Sequence, residues 1–540
     1  MQYGTDESAM QQVKVSFQCL PPSPYKVYEQ SYWRSDAWNP LDYGREYDFF
    51  KPFFEQFRDL LLVVPHPNLI QKNVVKSEYA NHGVNLKNCY FVGGSDTAED
   101  GAYLFGPNLN SRGCFDVHSA TDTERMYDSV CIEKSQGLRF CQDCIGCSDS
   151  YLLYDCRNCM DCFGCVGLRN KQFYIFNKLY SREDYYVEVE KMAPHTYSGL
   201  TQAREKFSKL KLTFPRKFSS ITKSEHVTGD EIVNARDCIH CFDTRNDVQN
   251  CKYCFGVFHG SDGFDALIAW NSAELFYEVM SVTAQRVIGS AIIWGGFDVI
   301  YSFNCFDCNN IFGCVGLKNK SYCILNKQYA KEVYEALIPK IIAHMNETPY
   351  VDKKGRVYKY GEFFPAELSP FAYNETIAQD YFPKTKEEVL ALGMRWRDPE
   401  NKQYEITLKN NEIPDDICAV EDSILSDIIE CGHRGKCPDH CAGAFRIVPQ
   451  ELQFLRKMNV PLPRLCPFCR QGERLRLKNP MHLWRRQCQC KGAKSENGVY
   501  ANTAVHSHGD FPCQDEFETP YAPDRKEIIY CENCYNAEVA

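Results

Sequence analysis

The chain has 540 residues, 44% of them hydrophobic and 24% charged, and a formal charge of −10, a composition that excludes disordered and fibrous classes and leaves room for several domains. No run of about 18 apolar residues occurs, which excludes a membrane-spanning helix, and the start shows no basic segment followed by an apolar core, so a cytoplasmic protein without a membrane partner is expected. Thirty cysteines in a reducing compartment argue against a disulfide framework; each is then a small buried hydrophobe or a metal ligand.

Residues 1–72 read as an aromatic cap. Asp48 is placed to cap a helix with Pro52 in its first turn, and Phe53, Phe54, Phe57, Leu60 and Leu61 recur at helical spacing as its core face. From residue 73 the pattern changes. Short apolar clusters recur about every 12 residues, from NCYF through AYLF, GCFDV, MYDSV, LRFC and YLLY to FGCVGL, with Asn, Asp, Ser and Gly between them. Short strands at a fixed period without hairpin dipeptides predict a β-solenoid whose rungs stack, with a large β-sandwich as the alternative. The Asn and Asp residues supply left-handed turns.

One block occurs twice. Residues 163–180 read FGCVGLRNKQFYIFNKLY and residues 312–329 read FGCVGLKNKSYCILNKQY, identical at 12 of 18 positions with an offset of 149. The same offset relates Cys89 to Cys238, Asp116 to Asp265, Cys156 to Cys305, Glu183 to Glu332 and Tyr185 to Tyr334. The fold class expected is therefore mainly β: a duplicated β-solenoid with units at 73–215 and 216–345, each closed by helices. Residues 346–430, with Pro365, Pro370, Pro383 and Pro414, read as an extended linker, and residues 431–540 as a metal-binding module.

The cysteines divide into two populations. Cys141, Cys144 and Cys147, and Cys156, Cys159, Cys162 and Cys165, repeat every third residue, a spacing near that of an iron–sulfur site but lacking its longer final gap and proline. The second copy replaces Cys144 by Ile293 and Cys162 by Ile311, as befits a packed small hydrophobe, so a core ladder is expected here and at Cys238, Cys241, Cys251 and Cys254. The C-terminal cysteines come instead as separated close pairs. Cys437 and Cys441 with Cys466 and Cys469 make one four-cysteine zinc set, and Cys488, Cys513, Cys531 and Cys534 a second, giving about two zinc ions as cofactors. Residues 491–512 then form an insertion, whose His506 and His508 are able to recruit Cys490 to another site.

After these motifs, the stretch FRIVPQELQFLRKMNVPLPRLCPFCR resembles the probable zinc-ribbon family, and the whole chain is similar to uncharacterised bacterial zinc-binding proteins in which the FGCVGL block recurs. The resemblance implies a zinc-ribbon or treble-clef-like module and no particular activity. One departure is that Cys437 and Cys441 are separated by three residues where the family has two. At the N-terminus, YKVYEQSYW parallels EIIYCENCY, with Glu29 and Tyr32 where Cys531 and Cys534 stand, and reads as a zinc module that has lost its metal.

Residues 431–494 carry 14 Lys and Arg against 3 Asp and Glu, a basic block on an acidic protein. Arg470, Arg474, Arg476, Lys478, Arg485 and Arg486 with Trp484 offer phosphate contacts and a stacking ring, so nucleic acid, RNA before DNA, is one expected partner; the alternative is a protein-interaction scaffold. No nucleophile elbow, phosphate loop or dinucleotide fingerprint is present. A glycan or small-molecule enzyme would have to use the solenoid groove, where Asp116 and Asp265 recur but read first as turn residues.

Overall fold

The computed structural model describes residues 25–398 and 404–539. Between Gln71 and Ile175, and again between Ile221 and Ile324, the backbone winds into parallel coils in which strands pair with segments 11 to 13 residues on, most often 12, as Glu78 does with Tyr90 and Ala291 with Phe303. The fold is thus the expected β-solenoid in two copies. Within each coil the repeating unit is a triplet. From Met126 to Cys165 every third residue is buried, and the residue two places after each takes a left-handed backbone, as at Asp143, Gly146, Asp149, Asp155 and Asn158. Two extended residues and one left-handed residue turn the chain one side of a coil at a time, and Asn, Asp and Gly tolerate that conformation best.

The triplet explains the cysteine spacing. Cys141, Cys144, Cys147, Cys156, Cys159, Cys162 and Cys165 are the inward residues of consecutive triplets and line a narrow apolar core. Cys238, Cys241, Cys251, Cys254, Cys305, Cys308 and Cys314 do the same in the second copy, beside Ile293 and Ile311. Serines share the ladder: Ser150 accepts from the Cys162 N–H at 3.0 Å, and Cys147 accepts likewise from the Cys159 N–H at 3.5 Å. A Cys159→Ser variant should accordingly cost about 1–2 kcal/mol and leave the metal content unchanged, as denaturant unfolding with elemental analysis will show.

The two FGCVGL blocks are equivalent coils. In the first, the Asn177 amide bonds both the N–H and C=O of Val166, at 2.9 and 2.8 Å; in the second, Asn326 does the same to Val315, at 2.8 Å for each. Each is followed by a helix, α3 (Arg182–Lys191) or α5 (Lys331–Glu347), whose first turn sets a tyrosine against the last coil: Tyr185 lies 5.8 Å from Phe173, and Tyr334 lies 5.8 Å from Tyr322. A second helix, α4 (Tyr197–Lys211), extends the cover of the first copy and buries Leu200, Ala203 and Phe207.

Two segments, at 27–34 and 528–539, cap the two copies crosswise. Val27–Tyr28 pairs with His66–Pro67, which leads into the first copy, and Ile528–Tyr530 pairs with Pro215–Lys217, which leads into the second. The helices that follow, α1 (Gln30–Arg34) and α8 (Glu532–Val539), reach the opposite copies: Lys318 of the second copy donates to the Trp33 carbonyl at 2.8 Å, and Arg169 of the first donates to the Tyr535 hydroxyl at 3.2 Å. Helix α2 (Phe53–Val63) buries the expected Phe53, Phe54, Phe57, Leu60 and Leu61 against Tyr301 and Phe312. Its N-cap is Pro52 rather than Asp48, whose carboxylate instead accepts from the Phe50 N–H at 2.9 Å.

The described residues of 346–430 do not run as an extended linker. Tyr350 and Leu368 join the core under α2, and Ile413, Ile417, Val420 and Ile424 pack with Phe454 and Leu455 beneath the first cysteine-rich module. The apolar residues in what composition marked as a tether account for the difference. Among the described residues, no helix is long and apolar enough to cross a membrane.

Candidate metal centres and the basic helix

Two modules of the same plan follow. In the first, the antiparallel pair Ile429–Glu430 and Ala444–Phe445 brings Cys431 and Cys441 together across its connecting loop, and helix α7 (Pro467–Leu477) supplies Cys466 at its N-cap and Cys469 in its first turn. In the second, Trp484–Gln487 and Glu516–Thr519 bring Cys488 and Cys513 together, and Cys531 and Cys534 stand at the start of α8. A hairpin and a helix N-terminus thus contribute two thiols each, the layout expected of a treble clef.

The sulfur atoms form two four-membered groups, Cys431, Cys441, Cys466 and Cys469, and Cys488, Cys513, Cys531 and Cys534, each with every ligand atom within 4.8 Å of the others. In the first, Cys431 lies 3.5 Å from Cys441 and 3.8 Å from Cys469, and Cys466 lies 3.4 Å from Cys469. A tetrahedral ion with metal–sulfur bonds of about 2.3 Å sets its ligands about 3.8 Å apart, so these spacings suit a metal ion. Backbone N–H groups aim at the sulfurs: Cys466 N–H donates to Cys431 at 3.3 Å, and Cys531 N–H to Cys488 at 3.2 Å. Among the described residues, every group of side chains able to hold a metal lies between Cys431 and Cys534, and none lies in the solenoid ladders.

The second group has the composition expected from the sequence. The first does not. Cys431 occupies the corner expected of Cys437, while Cys437 lies 3.4 Å from Cys469 in a neighbouring set with His433 and Asp439. The signal of Cys431 in the sequence is only its place ten residues before Cys441. The close pair CPDHC drew attention from it.

The basic block is placed differently from the expectation. Arg470, Arg474 and Lys478 are not on the surface; they are buried in ion pairs with the solenoid. Arg470 bridges Asp116 and Glu451, the latter at 2.9 Å, and lies over the Tyr103 ring. Arg474 meets Asp116 at 3.0 Å and Asp128 at 3.2 Å. Lys478 meets Glu231 at 3.1 Å and Asp243 at 3.5 Å, and these carboxylates raise its pKa against the lowering effect of burial. Asp116 and Asp128 belong to the first solenoid copy, Glu231 and Asp243 to the second. Helix α7 and the residue after it therefore join the two copies, which also meet where Cys131 contacts Glu231 at 3.1 Å. Asp116 is committed to these arginines, so it is not free to act as an acid or base beside Asp265.

The remaining cations lie further out. Arg476 pairs with Asp439 at 2.7 Å and Arg485 with Glu516 at 2.5 Å. Arg486 donates to the carbonyls of Tyr521 and Ala522, and Trp484 stands against His482 with ring centroids 4.4 Å apart. Helix α6 (Pro449–Met458) completes the junction by stacking Phe454 on Phe115 of the solenoid, centroids 4.1 Å apart.

No protein-family model matches the chain, and no curated protein matches it. Among solved structures, a protein of Desulfovibrio desulfuricans G20 described as an acetyltransferase aligns with 50% of this chain and 84% of its own length, at 8% identity and a TM-score of 0.11, a likeness that carries no argument about activity.

Proposed function

We propose that this chain is a non-enzymatic, zinc-dependent scaffold in which the two C-terminal modules clamp a duplicated solenoid into one rigid platform for a protein partner. Four thiolates at tetrahedral spacing select zinc among the common divalent ions. The observation that carries the reading is helix α7. Its N-terminus holds two thiols of a four-cysteine group, and along its length Arg470, Arg474 and then Lys478 neutralise buried carboxylates of both copies. Metal occupancy would thereby fix the orientation of the helix that joins the copies. The N-terminal module, with Glu29 and Tyr32 in place of two cysteines and with Trp33 seated on the second copy, reads as an equivalent clamp that no longer needs metal.

The test is Cys466→Ser in the full chain. It should lower the zinc content and make the 404–539 region sensitive to protease while the solenoid resists. Full zinc content with unchanged protease resistance would refute the reading. Nucleic acid is not required by this proposal, because the inner cations are already neutralised by the protein's own carboxylates. Protein purified without nuclease should therefore show the absorbance ratio of protein alone and bind no random RNA pool at low salt. Retained RNA, released by salt and lost with Arg476, Arg485 and Arg486 together changed to Ala, would restore the nucleic-acid reading.

A further inference from the structure

The last module holds a second set of ligand atoms, Cys490, His506, His508 and Cys534, all within 4.8 Å of one another, and it shares Cys534 with the four-cysteine group beside it. Resting on the zinc reading above, we propose that this module is a binuclear centre: a second zinc ion bound by Cys490, His506 and His508, with the Cys534 thiolate bridging the two metals. The insertion 491–512 is on this account the arm that delivers the second ion's histidines.

The hydrogen bonds fix both imidazoles in the ligating tautomer. His506 Nε2 faces Glu538 at 2.7 Å, and that carboxylate already accepts from the Thr503 N–H at 2.8 Å and the Tyr500 hydroxyl at 2.6 Å. An acceptor there places the proton on Nε2, so Nδ1 presents its lone pair to the Cys490 sulfur, 3.2 Å away. His508 is the mirror case. Its Nδ1 faces the Phe511 carbonyl at 2.7 Å, which puts the proton on Nδ1 and turns the Nε2 lone pair to the Cys534 sulfur at 3.2 Å. An imidazole whose far nitrogen donates to a carboxylate or carbonyl is the usual supporting shell of a metal-bound histidine. Two lone pairs aimed at two sulfurs call for a cation or two thiol protons between them. Cys490 also accepts from the Asn502 amide at 3.1 Å, as a thiolate would. Cys490, Cys534 and His506 are buried, and the His506 and Glu538 side chains are 2% and 1% exposed, so the set lies inside the module rather than on a surface. The corresponding set in the first module, His433, Cys437, Asp439 and Cys469, differs in that Arg476 already holds Asp439.

The probe is cobalt(II), exchanged into the full-length chain, with metal content counted alongside. A His506→Ala/His508→Ala variant should lose one metal ion per chain relative to the unsubstituted protein and keep the thiolate-to-cobalt charge-transfer band of the four-cysteine groups. Equal metal content in the two proteins would overturn the proposal. The unsubstituted protein gives a readout that does not depend on the variant folding: thiolate bridging couples the two cobalt spins, so the integrated paramagnetic signal should fall below the cobalt content. A signal equal to the cobalt content would overturn the bridge. Cys488→Ser separates this inference from the scaffold reading, since it disturbs the four-cysteine group and leaves the histidine set whole.

Discussion

Arg470→Met will lower the stability of the chain by about 3–5 kcal/mol, the cost of leaving a buried charge without its partner. Glu451 is wholly buried on α6, and its partners are Arg470 and the Tyr103 hydroxyl, the latter at 3.0 Å. Asp116 keeps Arg474, so the loss falls mainly on Glu451. Burial already pushes the Glu451 carboxyl up from its usual range, and Arg470 is the main charge that opposes that shift. Adding Glu451→Met should recover most of the loss, because an apolar pair of similar volume can replace a buried ion pair at little cost. Denaturant titration of the single and double variants checks both statements. Equal stability of Arg470→Met and the unsubstituted chain would mean that α7 is not seated as described.

On the proposed zinc reading, removing the metal will produce the largest change. Structural zinc contributes on the order of 10–16 kcal/mol per site in isolated finger peptides at neutral pH, comparable to the whole stability of an ordinary domain. The module around Cys488, Cys513, Cys531 and Cys534 has little core besides its thiols, Ile528, Tyr530 and Tyr535, so it should unfold once its ions are chelated. Each solenoid copy has its own continuous ladder and should persist. Calorimetry is expected to show that chelation removes the unfolding enthalpy of 404–539 and leaves the transition of the solenoid. The solenoid will itself be weakened at Asp116, which loses both Arg470 and Arg474 when α7 leaves, whereas Glu231 and Asp243 lose Lys478 but keep Arg245.

Much of the architecture was legible in the sequence because the solenoid writes its geometry into a period. The 12-residue recurrence of apolar clusters is the coil, and the constant offset of 149 is the duplication. The exchange of Cys162 for Ile311 correctly marked the ladder cysteines as core. Other features were hidden for physical reasons. The triplet with its left-handed third residue has no place among the helical and strand periods, so it showed only where Cys fell on every inward position. Cys431 has no close cysteine partner in the sequence, and only the hairpin brings residues 431 and 441 together across its loop. The basic block was read as an outward surface because its neutralising partners, Asp116, Asp128, Glu231 and Asp243, lie hundreds of residues away in the chain and only the fold brings them to α7. The polarity between an acidic chain and its basic segment was real, and at Arg470, Arg474 and Lys478 it is satisfied within the molecule.

Hydrogen exchange of the full chain, with and without a chelator, tests the central claim most directly. The account predicts that chelation abolishes protection through 431–539 and reduces it where the copies meet α7, around residues 116–131 and 229–245, while the ladders at 141–165 and 305–323 stay protected. Protection of 431–539 that is the same after the metal has been removed, or a native chain that carries no metal, would contradict it.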